Sequence, residues 1–295
     1  MKLLITGVCG QLGHDAAREC RSRVWEVVGT DLPRTLDGPE LPLDLTDPEK
    51  LRTTMEKLRP EAVIHCAAWT SVDAAEEPDN RKKVFSINAD ATRTLAEQCA
   101  RLGAKLLYIS TDYVFDGQGS EPWTPEQTHF APCNVYGASK LAGEGEIQKN
   151  LDRYFIIRTS WVFGKNGENF VKTMLRAGRS SDHVRVVSDQ IGTPTYTRDL
   201  AILLADLAES EAYGIYHATN AGGFVSWYDF AREIYRQAGL ETKVIPVTTE
   251  EYGMSKAVRP RNSRLSKEKL ERAGFHPLPD WKDALSRYLR EIGEI

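Results

Sequence analysis

Lys2-Leu3-Leu4-Ile5-Thr6-Gly7-Val8-Cys9-Gly10-Gln11-Leu12-Gly13 opens the chain with a short apolar run that ends in a G-x-x-G-x-x-G loop. Each glycine answers a physical need. The first permits a tight turn, the second lets backbone approach a pyrophosphate, and the third lets helix and strand pack closely. The residues from Gln11 onward read as a helix, whose first turn offers unpaired N–H groups and the positive end of its dipole to phosphate. One residue more separates Gly7 from Gly10 than in the commonest dinucleotide loop. Cys9 is an incidental small residue in a crowded turn. Gly7, Gly10, Gln11, Leu12 and Gly13 are therefore candidate cofactor contacts.

Working outward, β-branched and leucine-rich runs alternate with longer amphipathic stretches. Lys2 to Thr6 reads as a strand, Gln11 to Arg23 as a helix and Val24 to Thr30 as a second strand. A helix over Thr46 to Leu58 follows, with Thr46 as N-cap and Pro48 in the first turn. Then come a strand from Ala62 to Cys66, a long helix around Arg81 to Leu102 and a strand from Lys105 to Ser110. Nearly continuous apolar strands separated by helices indicate a parallel sheet covered on both faces. That is an α/β fold, a doubly wound Rossmann sheet. Beyond about Thr159 the order is less regular. Strands at Val184 to Val187, Tyr213 to Ala218 and Lys243 to Val247 mix with helices at Arg198 to Glu209, Trp227 to Gln237 and Trp281 to Glu291. We expect residues 1–160 to form the dinucleotide-binding domain. Residues 161–295 should form mainly a smaller C-terminal α/β substrate lobe, with some segments returning to the main sheet.

Asp31 stands at the end of the second strand, about 20 residues after the loop, where a carboxylate can accept bonds from the adenosine ribose hydroxyls. It favours NADH, because a 2′-phosphate would face a like charge; Arg34 is close enough in sequence to admit NADPH. A plain turn aspartate remains an alternative. Asp44 and Leu45, after the next strand-like run, either flank the adenine or belong to a simple loop.

A second constellation supplies chemistry. Tyr136-Gly137-Ala138-Ser139-Lys140 places a phenol and an ammonium at i and i+4, on one helix face. A tyrosine with a pKa near 10 exchanges protons poorly at neutrality, and a neighbouring ammonium is expected to lower it. Ser110-Thr111-Asp112-Tyr113-Val114-Phe115 falls at the carboxyl end of the Lys105 strand, where open α/β sheets bind ligands. There the Thr111 hydroxyl could bond the substrate oxygen or the tyrosine.

These segments resemble the extended short-chain dehydrogenases, and within them the dTDP-4-dehydrorhamnose reductase family over essentially the whole chain. The resemblance is carried by the glycine loop, Cys66-Ala67-Ala68-Trp69-Thr70-Ser71-Val72-Asp73, the Ser110 to Phe115 run and Pro132 to Glu144. Arg158-Thr159-Ser160-Trp161-Val162-Phe163, Arg259-Pro260 and Asn262-Ser263-Arg264-Leu265 continue it. It implies Tyr136 as acid, Lys140 on the nicotinamide ribose and Thr111 tuning the tyrosine. It also implies Gly10, Gln11, Leu12, Asp31, Ala68 and Thr70 along the cofactor, with Thr111, Asp112 and Trp161 touching the sugar. Trp69 replaces a common histidine and Ser139 a common threonine; neither removes a catalytic group. The activity implied is reduction of a dTDP-linked 4-keto sugar by NADPH or NADH. An epimerase or dehydratase of the same family is a second reading. A non-catalytic NADP-binding regulatory subunit of methionine adenosyltransferase is a third, disfavoured by the intact Thr111, Tyr136 and Lys140.

Composition narrows the field further. A formal net charge of -4 and a pI of about 5.9 leave no electrostatic footprint for a nucleic acid. Three arginines, Arg259, Arg261 and Arg264, cluster near the end of this acidic chain. Arg259 and Arg264 are candidates for the substrate diphosphate, or else they are solvated loop charges. Cys9, Cys20, Cys66, Cys99 and Cys133 show no C-x-x-C spacing and are expected to be reduced and mostly buried. The histidines form no ligand pair, so no metal site is expected within one chain. Trp227, Tyr228, Trp281 and Tyr288 read as packing residues. No run of about 20 apolar residues predicts a membrane span, and the N-terminal run is too short for a signal peptide. The expected compartment is the cytoplasm, and a homodimer is allowed but not required.

Overall fold

The computed structural model of the protein describes residues 1–33 and 38–295. Its first half runs β1 (Lys2–Thr6), α1 (Gln11–Ser22), β2 (Glu26–Asp31), β3 (Leu41–Pro42), α2 (Pro48–Leu58) and β4 (Ala62–His65). It continues with α3 (Val72–Ala75), α4 (Pro78–Phe85), α5 (Ala91–Leu102), β5 (Lys105–Thr111), α6 (Val135–Asn150) and β6 (Tyr154–Thr159). The second half holds β7 (Val162–Phe163), α7 (Phe170–Ser180), β8 (His183–Val187), β9 (Ile191–Gly192), β10 (Thr195–Tyr196) and α8 (Thr197–Glu209). After these come β11 (Gly214–His217), β12 (Asn220–Ala221), β13 (Val225–Ser226), α9 (Trp227–Ala238) and β14 (Lys243–Val247). The chain ends with α10 (Thr249–Tyr252), α11 (Glu268–Arg272), β15 (Leu278–Asp280) and α12 (Trp281–Glu291).

Among the described residues the main sheet has the order β11-β6-β5-β4-β1-β2-β3, with parallel pairing throughout. The order reverses between β1 and β4, which opens a crevice beyond their carboxyl ends. Period-two alternation builds two cores from one sheet. Leu3, Ile5, Ile64, Leu107 and Ile157 face α1 and α8, packing on Ala16, Cys20, Leu200 and Leu204. Leu4, Val63, Leu106, Tyr108 and Ile156 face the other way, onto Leu51, Met55, Leu95, Cys99 and Ile147. A third core lies in the second half, where Phe163, Tyr196, Phe230, Ile234, Trp281, Leu285 and Tyr288 pack together.

Several element boundaries differ from the sequence reading for local reasons. Val24 adopts a left-handed turn with φ 61°, so β2 starts only at Glu26. Asp47, not Thr46, caps α2: its carboxylate accepts from the Lys50 N–H, with Pro48 next in line. The expected single helix around Arg81 to Leu102 is interrupted by a π-helical turn, Ser86–Asp90. The strand at Tyr213 to Ala218 is the seventh strand of the main sheet, and α8 packs on α1 beside it. Among the described residues no disulfide forms; Cys20 and Cys99 are buried, whereas Cys9, Cys66 and Cys133 are only partly so. Among the described residues no helix is long and apolar enough to cross a membrane.

Candidate active site

A cleft of about 940 Å³ lies beyond the carboxyl ends of β1, β2, β4, β5 and β6. At one end sits the glycine loop. Gly7 has φ 70°, and a Cβ there would lie 2.6 Å from the Ala67 nitrogen. A Cβ on Gly13 would meet the Gly7 carbonyl oxygen at 2.1 Å, so helix and loop pack at a distance only glycine allows. No side chain caps α1 at Gly10, which leaves its positive end facing the cleft. This donor-rich, side-chain-free cradle fits a dinucleotide pyrophosphate.

Asp31 closes the loop from behind. Its Oδ2 accepts from the Cys9 N–H at 3.0 Å and its Oδ1 from the Leu32 N–H at 2.8 Å. Asp31 lines the cleft, together with Asp44, Leu45 and Thr46. Asp44 also orders its own loop by accepting from the Thr46 N–H and hydroxyl. Asp31 and Asp44 are therefore the charged residues lining this end of the cleft among the described residues. Arg34, the cation weighed for a 2′-phosphate, lies outside them. Ala68 and Thr70 line the cleft, while Trp69 between them does not.

Helix α6, which carries Tyr136 and Lys140, is anchored at its start by two unrelated groups. Asn134 caps it by accepting from the Gly137 N–H at 2.8 Å, and Glu76 accepts the Val135 N–H at 2.7 Å. Tyr136 and Lys140 then face the cleft from consecutive turns, opposite Thr111 at the end of β5. Thr111 accepts from the Tyr113 N–H and donates to Asp112 Oδ1 at 3.0 Å, and it hydrogen-bonds Tyr136. Asn88, in the π-helical turn, braces the helix from the far side. Its amide donates to Ser139 Oγ at 2.9 Å and to the Trp69 carbonyl, while its own carbonyl accepts the Trp69 N–H. A Cβ on Gly143 would lie 2.4 Å from the Asn88 backbone oxygen, so the turn and α6 are in direct contact.

The electrostatics reverse one expectation. Lys140 does not lower Tyr136; burial and the nearby Asp112 carboxylate push the phenol well above its ordinary value, and only Thr111 pulls it back. The reason lies with Lys140 itself. Burial brings its amine down to about 7, partly offset by Glu144 one turn further on, and its Nζ sits 3.9 Å from the Tyr108 ring centre. Tyr136 is thus held in its protonated form at neutrality, which is what an acid needs before it gives its proton away. Asp112 is unusual as well. Burial raises its carboxyl to about 7, with Ser263 and Thr111 offsetting part of the effect, and its Oδ2 has no hydrogen-bond partner. A buried acceptor without a donor costs free energy in this state.

The second half of the chain walls the cleft with aromatics. Trp161 adopts φ 51°, a strained geometry for a tryptophan, and stacks on Trp227 with ring centres 3.7 Å apart. Gly192 lies beneath; a Cβ there would be 2.8 Å from the Trp161 ring. Phe170 packs on Trp227, and all three rings line the cleft. Trp227, expected as packing only, thus has a second face on the site. Trp281 and Tyr288 are buried in the lobe core, with Tyr228 packed against it. Arg259 also reaches the cleft, held by Asp73 at 2.6 Å, Ser255 at 3.2 Å and the Tyr113 hydroxyl at 3.4 Å. Arg264 is not among the lining residues; it bonds Asn262 Oδ1 and lies over Phe224. Arg261 pairs with Glu250 on the outside.

Behind the site lies a fully buried ion pair. Arg158 donates to both oxygens of Glu144, at 2.9 and 2.6 Å, and Ser110 donates to Glu144 Oε1. The guanidinium is covered by Phe115 and Phe130. In the sequence Glu144 and Arg158 stand out only as motif members; 14 positions apart on a helix and a strand, they give no local sign of pairing. His65 is pushed down to about 3 by burial and is held by Thr6 and Thr92. No cluster of potential metal ligands occurs among the described residues.

Comparison with known proteins adds four findings. The family model described as RmlD substrate binding domain matches residues 1–293. The spore coat polysaccharide biosynthesis protein SpsK of Bacillus subtilis is 41% identical, over 98% of this chain and 97% of that one. A dTDP-4-dehydrorhamnose reductase of Streptomyces griseus is 40% identical over 96% of this chain and 91% of its own. The crystal structure of dTDP-4-dehydrorhamnose reductase from Bacillus anthracis in complex with NADP superimposes with a TM-score of 0.90 at 40% identity. That match covers 99% of this chain and 100% of the other.

Proposed function

The chain belongs to the RmlD substrate binding domain family, and on that premise we propose that it reduces the C4 ketone of dTDP-4-dehydro-L-rhamnose to dTDP-L-rhamnose with NAD(P)H. The observation that carries this reading is the meeting of the glycine loop with Thr111, Tyr136 and Lys140 in one cleft. A bound dihydronicotinamide supplies the hydride for the carbonyl carbon. As the C=O electron pair moves onto oxygen, Tyr136 gives that oxygen its phenolic proton, and the ketone becomes an alcohol. Thr111 holds the phenol through its hydroxyl. Lys140, near neutral when buried, stands ready to bond ribose hydroxyls and to regain charge as the tyrosine loses its proton. The glycine loop takes the pyrophosphate, and Asp31 the adenosine ribose, with Asp44, Leu45, Ala68 and Thr70 along the same face.

On the substrate side, the partnerless Asp112 Oδ2 is an acceptor that a sugar hydroxyl satisfies, and Trp161 offers an apolar face to the ring. Arg259 supports the diphosphate assignment better than Arg264, because Arg259 borders the cleft. In this reading the main sheet serves the cofactor and the second half of the chain serves the sugar nucleotide. The substrate places the enzyme in deoxysugar synthesis, in the cytoplasm. The decisive measurement is oxidation of NADPH or NADH by the keto sugar nucleotide, for the wild type and Tyr136→Phe. The variant keeps the ring and should bind cofactor normally while losing about 10²–10⁴-fold in kcat, the usual worth of a positioned acid. Near-normal turnover would refute Tyr136 as the acid.

A further inference from the structure

Tyr113 has no part in the reaction proposed above, yet it stands between two functional groups. It borders the cleft just after Thr111 and Asp112. Its ring meets the Tyr136 ring edge-on, with centres 5.8 Å apart and planes at 78°. Its hydroxyl accepts a bond from Arg259 Nη1 at 3.4 Å. Arg259 is fixed on two other sides, by Asp73 and Ser255. A guanidinium has five N–H donors, and these three partners engage one each. One donor remains on each Nη, in the fork geometry that suits two oxygens of a phosphate.

The segment carrying Arg259 is itself tied to the start of the catalytic helix. The Ala257 N–H donates to Asp73 Oδ1, Lys256 pairs with Glu77, and the Val258 carbonyl accepts from Asn134, the cap of α6. Glu76, between those acids, holds the Val135 N–H. One short acidic turn therefore supports the arginine and the tyrosine together.

We infer that Tyr113 is a second residue of the diphosphate site, its hydroxyl orienting Arg259 and its ring seating the Tyr136 phenol, so that the far end of the substrate is linked to the reacting end. Because Arg259 donates to the Tyr113 oxygen, the phenolic proton of Tyr113 is left for an anion. Burial and Asp112 keep that phenol neutral by raising it to about 12. An anion gripped by Arg259 and Tyr113 thus presses on a ring that touches the proton donor. Binding energy from a remote group is then available for orientation at the carbonyl.

This inference rests on the proposed reductase reading, and the experiment separates the two. Bind dTDP, and separately NADPH, to the wild type, Tyr113→Phe, Arg259→Ala and the double variant by calorimetry, then measure keto sugar kinetics. Tyr113→Phe should weaken dTDP by roughly three- to tenfold, the worth of one hydrogen bond, and leave NADPH unchanged. The two single losses should not add in the double variant, since both act on one anion site. Both variants should raise KM, and Tyr113→Leu, which removes the ring as well as the hydroxyl, should lower kcat further than Tyr113→Phe does. Wild-type dTDP affinity retained in Tyr113→Phe, or full additivity with Arg259→Ala, overturns the inference. A wild type that neither binds dTDP nor reduces the keto sugar instead overturns the reductase reading.

Discussion

Replacing Asp112 by asparagine should make the cofactor-free protein more stable at neutral and alkaline pH while making it a worse enzyme. The carboxyl is 2% exposed, and its Oδ2 has no partner. Its pKa rises from 3.8 to about 7, which at about 1.4 kcal/mol per unit penalises the ionised form by about 4 kcal/mol. Asparagine removes the charge but still buries a polar amide, so a gain of about 1–3 kcal/mol is expected. The sign follows from linkage. Below the unfolded-state value the carboxyl is protonated in both states and carries no penalty. As pH rises toward the folded-state value the unfolded chain releases its proton first, and wild-type stability falls. Above about 7 the loss is complete and constant. Urea unfolding of both proteins at several pH values between about 4 and 8 should show a stability difference that starts near zero, widens, then levels off. Other carboxylates titrate equally in both proteins and cancel. A difference that is flat with pH, or a variant less stable than the wild type above pH 7, would refute the reasoning. In the same variant kcat/KM for the keto sugar should fall with NADPH affinity intact, because the acceptor offered to the sugar is gone.

Two further outcomes test neighbouring parts of the design. Glu144→Gln leaves Arg158 buried without its counter-charge and should cost about 3–5 kcal/mol in urea unfolding; a loss below about 1 kcal/mol would mean that solvent reaches the pair. It should also push Lys140 still further from its charged form, since Glu144 is the largest influence opposing its burial. Asp31→Asn keeps an acceptor for one of its two backbone donors but removes the charge. The ratio of kcat/KM for NADPH over NADH should therefore rise, and an unchanged ratio would reduce Asp31 to a loop-closing residue.

The parts of the molecule legible in the sequence are those governed by neighbours along the chain. Gly7 and Gly13 could be read because a turn, a close approach and a helix start all fall within seven positions. Tyr136 and Lys140 could be read because one helical turn separates them. The continuous apolar run Leu3, Leu4 and Ile5 already implied two covered faces. What escaped was set by distant contacts. The π-helical turn at Ser86–Asp90 carries no composition signal, yet it exists where Asn88 reaches Ser139 and Trp69. The capping oxygen of α2 moved from Thr46 to Asp47 because the Thr46 hydroxyl is spent on Asp44.

The expectation that Lys140 lowers Tyr136 failed for the same reason and teaches the most. Spacing fixes how near two side chains stand, but a pKa depends on how much water each has lost. Here Lys140 is 2% exposed and lacks a carboxylate of its own, because Glu144, one turn away, is already committed to Arg158 and Ser110. An amine that yields its charge so easily does not draw the tyrosine proton off beforehand. It can take up a proton when a new negative charge forms nearby. In the proposed reaction the phenolate left after proton donation is that charge, and the amine is one helical turn away. In the proposed reaction burial suits both groups to the reducing direction: a tyrosine that starts protonated, and a lysine that becomes charged as the tyrosine gives its proton up.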